Sequence, residues 1–171
     1  MWVCMSRTSQ ELAALFRRDI GKLRNEIASF TEGNSVWRIL PGVVNPAASL
    51  ALHLEGNLRE YIGRQLGHVP YERNRALEFS ARNVPIRIIL SRIAEVERLI
   101  PEVIESLSEL HLNEDYPEVV LESAVTVRHF LIHLHGHLMY HIGQISYIRR
   151  LLDPGSALTS PEMGISIDPS R

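Results

Sequence analysis

The sequence predicts an all-α fold, a four-helix bundle in a single domain. Four segments space apolar residues three or four apart with charges between them, no stretch sustains period-two alternation of β-branched residues, and 171 residues suffice to bury one core without disulfide or metal staples. No internal repeat is evident, so the four segments belong to one bundle rather than a solenoid.

The first helix is predicted over residues 8–31, where Leu12, Leu15, Phe16, Ile20, Leu23, Ile27 and Phe30 share one stripe. A turn-rich connector, "EGNSVWRILPGVVNP", leads to a second helix over residues 45–67, with Asn45 as cap and Pro46 at the first helical position. The third, "VPIRIILSRIAEVERLIPEVIESLSEL", keeps Ile86, Ile89, Leu90, Ile93, Val96, Ile100, Ile104 and Leu107 on one face. Its Pro101 is expected to bend it or split off its last turns. Residues 111–121 read as a connector and the fourth helix as running from Glu122 to Leu152, where "DPGS" stops it. The domain is thus expected to span residues 1–152, followed by a mobile tail over 153–171 rich in proline, glycine and serine.

Bulk composition removes several function classes. Apolar residues make up 45%, charged residues 22%, and the net charge is −2, which gives no electrostatic reason for a nucleic-acid partner. Lys22 is the sole lysine, which disfavours Schiff-base chemistry. A single cysteine, Cys4, leaves neither a disulfide framework nor a thiolate zinc cluster and suits a reducing cytosol. The start "MWVCMSRTS" has no signal-peptide pattern and no segment has the apolar length of a membrane span, so a soluble cytoplasmic protein without membrane partners is expected.

Chemistry concentrates in "RHFLIHLHGHLMYHIGQISYIRR", which holds His129, His133, His135, His137 and His141. With His141 set at zero on a helical wheel, Phe130, Leu134, His137, Ile145, Ile148 and Leu152 fall within about 40° of it. His137 and His141 are therefore expected to point into the bundle. His133 lies about 80° away, while His129 and His135 lie roughly 120° away on opposite sides, where surface positions are expected. An inward histidine pair one turn apart can grip a metal, although such pairs are more often satisfied core imidazoles.

A third ligand has an available donor in His53 of "ALHLEGNLREYIGR", which shares a stripe with Asn57, Glu60 and Arg64. Alone, a half-buried histidine is more often structural than a ligand, and a polar stripe is more often solvated. If the stripe faces His137 and His141, Asn57 and Glu60 become candidates to orient an imidazole or a bound water. The Glu-x-x-His pairs of di-iron bundles, the HExxH protease motif, the GxSxG elbow and the P-loop are all absent. What remains is a three-histidine site with an open position, suited to zinc and also to nickel or iron.

Together "HLEGN", "YERNRALEF" and "HGHLMYHIGQISYIRR" make the chain resemble the DinB/YfiT-like family of bacterial helix-bundle proteins over residues 8–152. The resemblance implies an up-down-down-up bundle and a divalent metal held by His53, His137 and His141, with Asn57 and Gln144 matching recurring features nearby. Arg73, Arg75 and Glu78 match a family loop, read here as salt-bridged cover over one end of the bundle in preference to substrate recognition.

Relatives of that kind include transferases and isomerases using low-molecular-weight thiols such as mycothiol, bacillithiol or glutathione. The resemblance therefore implies a metal-dependent thiol transferase acting on a small-molecule thiol and an electrophile; from charge and position alone, Arg64 or Arg75 is a candidate to neutralise a carboxylate of the thiol or acceptor. Two alternatives stand beside it: a metal-dependent hydrolase with Glu60 as base, and a non-enzymatic metal-binding, stress-related protein. A homodimer through helix faces is also expected.

Overall fold

The structure, a computed structural model, describes residues 6–30 and 34–152. The expected tail over 153–171 and the last residue of the first predicted helix lie outside the described residues. Among the described residues the fold is all-helical, without strands, and no helix is long and apolar enough to cross a membrane.

Helix α1 covers Arg7–Ala28, capped by Ser6, whose side chain accepts from the Ser9 amide. It buries Leu12, Phe16, Ile20, Leu23 and Ile27 as the spacing predicts, and Asp19 with them. A 3₁₀ turn, Ser35–Trp37, follows, and the Trp37 indole donates to the Val84 carbonyl at 3.1 Å, tying this connector to the start of a later helix.

Helix α2, Ala47–Leu58, begins one residue after Pro46, which takes the cap position expected of Asn45. A wide π-helical segment, Arg59–Arg64, continues it. Every residue of α2 is buried, polar ones included, so the stripe read as amphipathic has no solvated side. Its cover is a short helix that periodicity did not suggest, α3 (Arg75–Ser80), capped by the Asn74 side chain accepting from the Leu77 amide.

Helix α4, Ile86–Ser106, runs through Pro101, and the chain breaks instead at Leu107, where the backbone turns extended. The Leu107 carbonyl, left without a helical partner, accepts from the buried Ser9 hydroxyl at 2.7 Å. Ser108 and His111 then form a capping box that starts α5, Glu109–Asn113.

Helix α6, Val127–Leu152, starts five residues later than Glu122. Leu121 and Glu122 adopt left-handed backbone, φ 54° and 61°, in a tight turn closed by a Val120–Ser123 bridge. A right-handed helix cannot propagate through such residues.

Packing joins α1 to α4 and α6, and α2 to the same two helices. Arg17–Glu105 and Arg24–Glu97 pairs link α1 with α4, while Arg149 of α6 bonds Glu26 of α1 at 2.7 Å. Arg92 of α4 reaches the buried Glu55 of α2, and Tyr61 just beyond α2 stacks edge-on against Phe130 of α6.

Candidate metal centre

His53 from α2 and His137 and His141 from α6 meet in one cluster whose ligand atoms all lie within 4.8 Å of one another. His53 Nε2 is 3.3 Å from His137 Nε2, and His141 Nε2 is 3.1 Å from the same atom. Nitrogens about 2.0–2.1 Å from a tetrahedral ion sit about 3.3 Å apart, so the spacing suits a shared cation.

In His53 and His141 the other ring nitrogen fixes the tautomer, whereas the buried Nδ1 of His137 has no partner among the described residues. His53 Nδ1 donates to Glu78 Oε2 at 2.9 Å, because an ionised carboxylate can only accept, and this leaves the Nε2 lone pair facing the cluster. Likewise His141 Nδ1 donates to Gln144 Oε1 at 2.7 Å, which frees its Nε2. His137 Nε2 faces both lone pairs, and a single proton on it would satisfy only one of them. Burial, reinforced by the neighbouring His141 and His53 rings, pushes the His137 pKa down to about 4, and burial also lowers that of His141. Three imidazoles with converging nitrogens are a fitting donor set for a divalent cation.

Glu78 is held in place from two sides. Arg73 donates to its two oxygens at 2.7 and 3.0 Å, and the ring of His53 packs on Phe79 with centroids 5.0 Å apart. Burial works to raise the Glu78 pKa, but the bonds from His53 and Arg73 outweigh it and hold the carboxyl below its ordinary value. Room for this carboxylate exists because residue 56 is glycine: a Cβ there would stand 2.4 Å from Glu78 Oε1 and 3.3 Å from the Tyr71 hydroxyl.

Gly56→Ala is therefore expected to dislodge Glu78 and weaken metal binding about 10- to 100-fold. Helical order should not suffer, since alanine favours a helix interior by roughly 1 kcal/mol. Competition for zinc against a chelator, with circular dichroism in parallel, checks this, and Glu78→Gln should weaken binding in the same direction. Unchanged affinity in both variants would show that the carboxylate does not tune the site.

The sequence puts Asn57 and Glu60 on the stripe of His53 and Glu78 in a covering loop. In the structure Glu78 touches a ligand, and its signals were the glycine in "HLEGN" and the acid in "RALEF". Gln144 does contact His141, whereas Asn57 is buried beside the cluster with Oδ1 lacking a partner. Glu60 is ion-paired with Arg64.

The remaining histidines are apart from the three. His129 and His133 are exposed, the latter stacked on Phe130 with centroids 5.8 Å apart. His135 is not on the open surface: it is half-buried, bonded to Asp19 at 2.8 Å and set edge-on to Phe16. Burial of Leu131, Leu138, Ile142 and Arg149 displaces the core stripe of α6 towards His135, leaving His137 and His141 on its opposite flank.

Beside His53 and His137 opens a cavity of about 330 Å³, walled by Tyr61, Arg73, Leu121 and Phe130 among others. Fold and site together define an all-helical protein with a three-histidine group able to hold a metal ion. No family model matches the chain, and no curated protein matches it.

Proposed function

We propose that this is a DinB-like divalent-metal-binding protein that uses its three histidines to activate a low-molecular-weight thiol for transfer to an electrophile. The observation that carries the reading is the convergence of three Nε2 lone pairs, two of them fixed by Glu78 and Gln144, beside an open cavity. Zinc is the favoured ion, with nickel or iron as alternatives, because an all-imidazole set of three suits each of them.

The cross-helix pairs support the up-down-down-up order of such bundles. Positions on α1 pair with α4 in opposite sense and with α6 in the same sense, 17 with 105 and 24 with 97, 19 with 135 and 26 with 149.

A bound divalent cation supplies a Lewis acid that favours thiolate over thiol at neutral pH. The chain's part is to hold and tune it. Glu78 accepts a hydrogen bond from His53 Nδ1–H and strengthens that ring as a ligand, Arg73 keeps Glu78 ionised, and Gln144 orients His141. Phe130 and Leu134 give the cavity an apolar wall against which an acceptor can rest.

The hydrolytic alternative asks for a base at the cavity, and the described residues lining it include no aspartate or glutamate, with Glu60 engaged by Arg64. The thiol reading needs no such base.

Zinc-loaded protein incubated with glutathione and an aryl halide should give a conjugate, and the conjugate should disappear on chelation or in His141→Ala. Hydrolysed product formed without thiol would replace this reading with the hydrolase. Tight metal binding with neither product would replace it with a non-enzymatic metal protein.

A further inference from the structure

The cavity beside the histidines has a chemical character of its own. Two arginines, Arg73 and Arg75, and three histidines line it, while no acidic residue among the described residues does, in a chain whose net charge is −2. Arg73 is neutralised by Glu78, its bidentate partner. Arg75 stands exposed at the first position of α3 and has no carboxylate paired with it among the described residues, so it is the uncompensated cation at the mouth. A cleft lined by one sign of charge draws a ligand of the other.

Two further features narrow that ligand. Asn57 is only 7% exposed, lines the cavity, and its Oδ1 has no hydrogen-bond partner. A buried acceptor left unmatched is costly, and a ligand N–H reaching it would remove the cost. Part of its lining is apolar, Val119, Leu121 and Phe130 among it, with Val119 and Leu121 exposed on their turn. Inorganic phosphate or a fully polar sugar would leave that wall uncovered.

We infer that the cavity binds an amide-bearing organic carboxylate of about dipeptide size, its carboxylate on Arg75, its N–H on Asn57 and its apolar side against Val119, Leu121 and Phe130. This names the substrate class for the thiol-transfer reading and rests on it for its chemical purpose. Its binding, however, can be measured without thiol or transfer. About 330 Å³ accommodates such a molecule at the lower end of ordinary ligand cavities.

N-acetyl-L-leucine and its neutral counterpart N-acetyl-L-leucinamide are the probes, titrated calorimetrically into zinc-loaded protein. The acid should bind about tenfold more tightly than the amide, a difference that shrinks in high salt. Arg75→Gln should abolish the difference. Asn57→Leu, which keeps the branched shape and removes the unmatched oxygen, should weaken both probes several-fold while preserving the preference.

Repeating the titration in His137→Ala separates this subsite from direct coordination of the carboxylate. Persistence of the acid preference there supports Arg75 as the reader. Its loss there, equal binding of the two probes in the wild type, binding of neither, or a preference surviving Arg75→Gln would each overturn the inference. A protein that discriminates the probes yet forms no thiol conjugate would disprove the transferase and leave this subsite standing.

Discussion

Protein carrying His137→Ala is expected to lose stoichiometric metal outright. His137 Nε2 is the atom both other ligands face, at 3.3 Å from His53 and 3.1 Å from His141, so its removal takes away the centre of the donor set. Four-ligand structural zinc sites bind with about 10–16 kcal/mol, so one ligand is worth about 3–4 kcal/mol and its loss costs two to three orders of magnitude in affinity. His141→Ala should behave alike. His129→Ala and His133→Ala should retain full metal, since both side chains are exposed and outside the cluster. His135→Ala should also retain it, because that ring serves Asp19. Elemental analysis of untagged protein decides the matter: equal metal loss from all five variants would mean that the histidine-rich helix binds nonspecifically.

How much of this was legible follows from what periodicity can and cannot report. Helices α1 and α4 announce themselves because each has one apolar face and one charged face, and their buried apolar residues fall on the predicted stripes, whereas α6 is legible as a helix with its stripe displaced. Helix α2 was legible as a helix but not as a fully buried one. Its polar residues Ser49, His53, Glu55 and Asn57 mimic a solvated side, and the cover over His53 comes from a six-residue helix too short to leave a periodic signal. Glu55 shows the cost of reading polarity as exposure: it is 1% exposed because Arg59 and Arg92 close over it. The late start of α6 was illegible for a different reason, since Leu121 and Glu122 are not residues that usually take left-handed backbone.

The three histidines were reached by rotating faces and by resemblance, and the structure brings them together. The glycine of "HLEGN" and the acid of "RALEF" are visible in the sequence but their pairing is not, because Glu78 lies 25 positions from His53 on another helix and only tertiary packing joins the two. The nearer candidate, Glu60, shares the predicted stripe, but the wide turn of Arg59–Arg64 alters the helical phase, and Glu60 closes on Arg64 instead. His135 illustrates the complementary error. A helical wheel centred on His141 placed it outside, whereas the buried stripe is centred nearer Leu138, a shift large enough to turn His135 towards α1.

That buried contact leads to the second large effect, in acid. Asp19 is fully buried, and its oxygens accept from Arg18 at 2.9 and 2.8 Å, from Lys22 at 2.8 Å and from His135 at 2.8 Å. Burial alone would raise its pKa, but the bonds from Arg18, Lys22 and His135 prevail and hold it at about 2. The folded value lies below the unfolded value of about 3.9, so the native state is favoured by a term fully present above pH 4 to 5 and lost as pH falls through about 2. The depression corresponds to about 2 to 3 kcal/mol. Asp19→Asn keeps the shape and removes the charge, so urea unfolding should show it less stable by about that amount at pH 7, with the gap closing between pH 4 and pH 2. The comparison belongs in a His137→Ala background, where acid release of metal from the histidines cannot contribute to the slope. Parallel stability curves for the two proteins across that range would show that the Asp19 cluster contributes nothing to acid sensitivity, and that the carboxylate is held by packing rather than by its three cationic or ring partners.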